Sequence, residues 1–108
     1  MFLIVLFYFD NSGSIVKFDS NSDLAWRINH NSKQDKKLQP ILFFGVSEDN
    51  LFIADSIANY YVINKNNGEL KWKKKHSSSF NSQIKIFDKK ALVIDMENQL
   101  RCFSIETG

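Results

Sequence analysis

The chain has 108 residues, of which 44% are apolar and 24% charged, and its net charge is +2. That length is normally one domain, the balance is globular rather than disordered, and so small a charge argues for no nucleic-acid partner. The single cysteine, Cys102, excludes an intrachain disulfide and leaves the redox compartment open.

The apolar start, Met1–Phe9, lacks a basic leading segment and a small-residue cleavage site, and it is too short to cross a bilayer as a helix. We read Phe2–Phe9 as a strand, buried on both faces because the run does not alternate. Asn11-Ser12-Gly13-Ser14 reads as a hairpin link, since Asn and Gly tolerate positive φ. Ser14–Phe18 is the antiparallel return, Asp19–Ser22 a turn, and Asp23–Asn29 a third strand carrying Trp26. The polar stretch His30–Pro40, with the only proline, reads as a solvated surface loop.

Ile41–Val46 follows as a strand, then Leu51–Asp55 and Asn59–Asn64 as a hairpin. Lys65-Asn66-Asn67-Gly68 is a turn with glycine where a left-handed residue is wanted. Glu69–Lys75 is the strand with Trp72, and His76–Ser82 a serine-rich loop. Gln83–Phe87, Ala91–Met96 and Gln99–Ile105 complete ten expected strands, and no helical periodicity intervenes. A strand every eight to twelve residues or so, with turns between, is the all-β pattern.

The chain writes one pattern three times. Leu51–Asp55 and Ala91–Asp95 are apolar runs closed by Asp, forty residues apart. Each is followed by a four-residue link, a second strand and, without a gap, Gly68 or Gly108. Leu6–Asp10, forty-five residues before Leu51, is the same run, and Asp23–Trp26 matches Glu69–Trp72 after a turn one residue shorter. A period in this range built only of strands predicts the blades of a β-propeller. Grouped this way, residues 1–108 form a single partial propeller domain of about two and a half four-stranded antiparallel blades, with repeats at about 2–29, 41–75 and 83–108. Such a piece is expected to sit inside a longer chain, beside the remaining blades.

The candidate site residues are those the repeat brings back: Trp26, Trp72, Gly68, Gly108, Asp10, Asp55 and Asp95. A tryptophan recurring on one strand suits a blade seam, where its large body is buried and its indole N–H finds an acceptor. The three Asp residues could line a channel and hold a cation, or each could cap its hairpin link by accepting backbone N–H groups. Recurrence in every copy favours the cap. His30 and His76 each follow a Trp by four residues and read as loop-start residues on one rim, since two His make no metal site unaided. Lys71, Lys73, Lys74 and Lys75 read as the guard of an outer edge strand. Ser77-Ser78-Ser79 has no His–Asp partners at readable spacing. We assign no catalytic, cofactor-binding or metal-ligating residue.

Val62-x-Asn64-x-x-Asn67-Gly68-x-x-x-Trp72 resembles the tryptophan-docking repeat of pyrroloquinoline-quinone (PQQ)-type propellers, written A-x-D-x-x-x-G-x-x-x-W. Cys102-x-Ser104-x-x-Thr107-Gly108 repeats it, and Lys17-x-Asp19 through Trp26 is a shortened form without the glycine. Val62 and Cys102 stand at its Ala position, Asn64 and Ser104 at its Asp position. Within that family the chain is most similar to the BamB-type outer-membrane assembly propellers. The resemblance implies a bacterial, non-enzymatic scaffold in the cell envelope or periplasm that binds proteins through blade loops, without a cofactor. The alternative it implies is a fragment of a PQQ-dependent dehydrogenase. Those enzymes carry adjacent cysteines, which this chain lacks.

Overall fold

A computed structural model of the chain describes residues 6–10, 12–19, 21 and 23–108. The part of the first expected strand at Phe2–Val5 lies outside the described residues, as do Asn11 of the first link and Ser20 and Ser22 of the next turn. The chain divides into two units, residues 1–40 and 41–108.

The first unit holds one antiparallel sheet, in order β1 (Leu6–Phe9), β2 (Ile15–Phe18), β3 (Leu24–Ile28). Phe7 pairs with Lys17 and Tyr8 with Val16, while Val16 pairs onward with Arg27 and Lys17 with Trp26. Tyr8 is 59% exposed, so burial on both faces does not hold for this strand. The surface loop expected at His30–Pro40 contains a single helical turn, α1 (Lys33–Lys37). Ser32 caps it, its Oγ accepting from Asp35 N–H at 3.2 Å, and Lys36 and Lys37 sit at the end where the helix dipole favours cations. One turn is too short to leave a period in the sequence, and α1 buries no residue.

The second unit holds two sheets. One has four strands in order β4 (Leu42–Ser47), β5 (Asn50–Asp55), β6 (Asn59–Asn64), β7 (Leu70–Lys75). The other has three, in order β8 (Lys85–Phe87), β9 (Lys90–Ile94), β10 (Leu100–Ser104). All pairings are antiparallel. Alternation decides which side chains meet. Phe52, Ala54, Tyr60 and Val62 on one face of β5 and β6 are buried against Ala91 and Val93 of β9, with Phe80 and Ile105 closing the cluster. Trp72, Ile84, Ile86 and Phe103 pack around it. Gly45 on β4 lets the sheets approach: a Cβ there would lie 2.6 Å from Ile86 Cδ1 and 2.8 Å from Ile84 Cγ2.

No helix of the described residues is long and apolar enough to cross a membrane.

Candidate functional site

The three hairpin links share one construction. Asp10 Oδ1 accepts N–H bonds from Ser12 and Ser14 at 2.9 and 3.1 Å. Asp55 Oδ1 does the same for Ile57 and Asn59 at 3.0 and 2.9 Å, and Asp95 Oδ1 for Glu97 and Gln99 at 2.9 and 3.1 Å. The third link residue is left-handed in each copy: Gly13 at φ 85°, Ala58 at φ 73°, Asn98 at φ 60°. Its N–H bonds back to the Asp carbonyl at 3.1, 3.3 and 3.0 Å in turn. Each carboxylate thus replaces the partners that the turning backbone loses.

The second turn repeats as closely. Asn64 Oδ1 accepts from Asn66 and Asn67, Ser104 Oγ from Thr107, and Asp19 Oδ1 from Asn21 and Asp23. Gly68 and Gly108 are left-handed at φ 78° and 80°, and their N–H groups bond to the Asn64 and Ser104 carbonyls at 2.8 and 2.7 Å.

The copies diverge at the other carboxylate oxygen. Asp10 Oδ2 faces the Arg27 guanidinium at 3.1 Å. Burial works against its charge, but the Ser12 hydroxyl and the link amides outweigh that and hold it below the usual range. Asp95 Oδ2 takes Arg101 Nε at 2.8 Å and His76 Nε2 at 3.2 Å. Arg101 above all holds this carboxyl well down, and Glu97 stands 4.0 Å from the same guanidinium. Asp55 Oδ2 has no hydrogen-bond partner among the described residues. Burial therefore pushes Asp55 up against the pull of the Asn59 and Ile57 amides, with Lys73 helping the charged form only weakly. Burial and the Asp55 charge push the Tyr61 phenol up in turn.

Of these carboxylates, Asp95 lies at the seam between the four-stranded sheet and the sheet of β8–β10. Trp72 on β7 donates its indole N–H to the Ile105 carbonyl, just after β10, at 2.8 Å. Its ring lies edge-on to Tyr60 at 5.6 Å and to Phe52 at 6.1 Å. Tyr60 stacks on Phe103 of β10 at 4.3 Å. His76, just beyond β7, donates its backbone N–H to Ala58 at 2.7 Å and stacks on Phe80 at 5.2 Å while its ring reaches Asp95. The seam thus joins two sheets by an aromatic cluster with directional polar ties from Trp72, His76 and Lys74.

Of the sequence-derived residues, the seam unites Trp72 with Asp95; Asp55 sits one link away, Gly68 and Gly108 shape the outer turns, and Asp10 and Trp26 lie in the first unit. Trp26 is half-buried, with its ring 6.0 Å from Phe7. His76 is more than a loop-start residue: it crosses the seam to Asp95. Its offset of four from Trp72, shared by His30 and Trp26, was the available signal. Arg101 and Gly45 carried none. Lys71, Lys74 and Trp72 share an edge strand as expected; Lys71 bonds Asn50 Oδ1, and Lys74 lies over the Trp72 ring and reaches the Thr107 carbonyl. Among the described residues, no group of three or more His, Cys, Asp or Glu could hold a metal ion.

Three successive antiparallel sheets with one repeated hairpin chemistry define a partial β-propeller. The chain belongs to the family described as outer membrane protein assembly factor BamB, whose pattern matches residues 11–108. In structure it resembles BamB from Moraxella catarrhalis, with a TM-score of 0.66 and 15% identity over 96% of this chain and 31% of that one. It also resembles a europium-containing methanol dehydrogenase, with a TM-score of 0.76 and 13% identity over 98% of this chain and 22% of that one. The chain therefore spans about a third or less of the length of either. No curated protein matches it in sequence.

Proposed function

We propose that the chain is a non-enzymatic propeller segment that binds other proteins through its blade loops, as part of an assembly factor of the cell envelope. One observation carries this reading. The polar residues that recur are committed to the scaffold: each repeated Asp caps its own link, and Asp95 spends its second oxygen on Arg101 and His76. What varies between copies, and so what is left to recognise a partner, is the loops: Ser77-Ser78-Ser79 and the lysine-rich α1. The BamB family membership supports the same reading and the envelope location with it.

The second reading, a piece of a PQQ-dependent dehydrogenase, draws on the likeness to the methanol dehydrogenase. The residues of the seam do not fit that cofactor. A planar polycarboxylate needs free cationic groups and an open slot, whereas Arg101 is already paired with Asp95 and Glu97, and the Asp95 side chain is fully enclosed. Titration with pyrroloquinoline quinone and calcium, followed by quinone absorbance, should show no saturable binding, and dye-linked alcohol oxidation should stay at background. Stoichiometric binding lost on substituting Arg101 or His76 would overturn the scaffold reading.

A further inference from the structure

Of the chain's four glycines, only Gly68 follows an asparagine. That pair is the least hindered setting for loss of a side-chain amide. The Gly68 backbone nitrogen attacks Asn67 Cγ, ammonia leaves, and water then opens the succinimide ring at either carbonyl. The products are aspartate and isoaspartate, for one water gained and one ammonia lost. Glycine has no Cβ to obstruct the ring closure, and Asn67 is exposed on the turn between β6 and β7. The other copies offer no such pair: Thr107 precedes Gly108, and the first copy has no glycine in this turn.

The closed turn holds the reacting groups apart. Attack needs the Gly68 nitrogen without its proton, and it uses the electron pair left where the N–H bond was. Gly68 is buried, and that N–H points to the Asn64 carbonyl at 2.8 Å, so the nitrogen is aimed at an oxygen and not at Asn67 Cγ. The target is pinned by separate bonds. Asn67 Oδ1 accepts from Glu69 N–H at 2.9 Å, and Asn67 N–H donates to Asn64 Oδ1 at 3.3 Å.

We propose that Asn67 is a deamidation site gated by the β6–β7 turn: the closed turn protects it, each opening exposes it, and its isoaspartate product loosens β7. A turn opens locally far more often than the whole fold unfolds, so the loss of this amide counts turn openings. Isoaspartate puts an extra carbon into the main chain between positions 67 and 68. The bond from Gly68 N–H to the Asn64 carbonyl then no longer closes as before, and the register that sets Trp72 opposite Val62 is strained. The indole bond of Trp72 to the Ile105 carbonyl is the tie this shift weakens. The site lies outside the loops invoked above, so either reading can fail while the other stands.

The test ages the full chain at mildly alkaline pH beside a synthetic peptide of residues 64–71, Asn-Lys-Asn-Asn-Gly-Glu-Leu-Lys. Tryptic mass mapping, with fragmentation that separates aspartate from isoaspartate, reads each site. We expect Asn67 to be the first asparagine of the chain to convert, at least about tenfold more slowly than in the peptide. Asn64→Ala, which removes the side-chain acceptor of the turn, should speed conversion several-fold. Low urea, in which the unsubstituted chain stays folded, should raise the rate in step with amide exchange at Gly68, a measurement that does not depend on the variant folding. The isoaspartate form, separated by ion exchange, should exchange its Trp72 indole proton faster than the unmodified chain. Conversion as fast as in the peptide, earlier conversion of another asparagine, a rate indifferent to Gly68 exchange, or an unchanged indole in the isoaspartate form would each overturn the proposal.

Discussion

The sharpest contrast at the scale of single residues is between Asp55 and Asp95. Both cap a link with Oδ1, but Asp95 is paired at Oδ2 and Asp55 is not. The signs follow by linkage. Asp95 is held below its ordinary value of 3.8, so its contribution is present above that pH and is lost as pH falls through the depressed value. Asp55 is raised, so it favours the fold fully below about 3.8 and loses that advantage as pH rises through its folded value. At pH 7, Asp55→Asn should hold or raise the melting temperature, since the amide keeps the Oδ1 acceptor without a buried charge. Asp95→Asn should lower it, because Arg101 and His76 lose their counter-charge. Scanning calorimetry from pH 7 into the acid range checks both: the Asp95→Asn deficit should persist at pH 4 and close only as pH falls well below 3.8, whereas the Asp55→Asn gain should fade as pH falls toward 3.8. The left-handed link position gives a second test. Ala58 sits at φ 73° where the other copies place Gly and Asn. A left-handed L-residue costs about 1–2 kcal/mol and glycine's extra chain entropy returns about 0.5–1, so Ala58→Gly should stabilise by about 0.5 kcal/mol in urea denaturation.

Elements meet here through what faces what, and that is also where the sequence was readable and where it fell silent. Strand positions and the Asp-capped links were legible because alternation, turn residues and recurrence all agree, as in Leu51–Asn64 against Ala91–Ser104. The helical turn α1 was not, since a cap and one turn of lysines look like any polar loop. Gly45 was unreadable for a different reason: its role depends on Ile84 and Ile86, which reach it only once β8 lies beside β4. His76 lies between the two cases, its offset visible but its partner Asp95 set by the packing of two sheets. Substitution at the contact should expose this dependence. Gly45→Ala should destabilise by about 1–3 kcal/mol, the usual cost of overpacking, with pairing of β4 to β5 kept in amide exchange. Trp72→Ala should cost about 3 kcal/mol, because it removes an aromatic wedge and leaves the Ile105 carbonyl without its donor.

As a whole molecule, the chain is a run of blades in which one hairpin chemistry is copied and the seam carries the individuality. The fold is shared with much longer relatives, of which this chain spans about a third or less. Phe87, Ile94 and Leu100 on the β8–β10 sheet, Met96 in the link after β9 and Tyr8 in the first unit are exposed large apolar side chains. All of this rests on the seam between the second and third sheets being closed by residues that are far apart in the chain. Its most direct test is an isotope-edited NOE spectrum of the Trp72 indole proton in the full chain. We expect cross-peaks to Ile105 and Phe103, thirty or more residues away, and a slowly exchanging indole resonance. Cross-peaks confined to β5–β7, with rapid exchange, would contradict the seam and with it the reading of these repeats as packed blades.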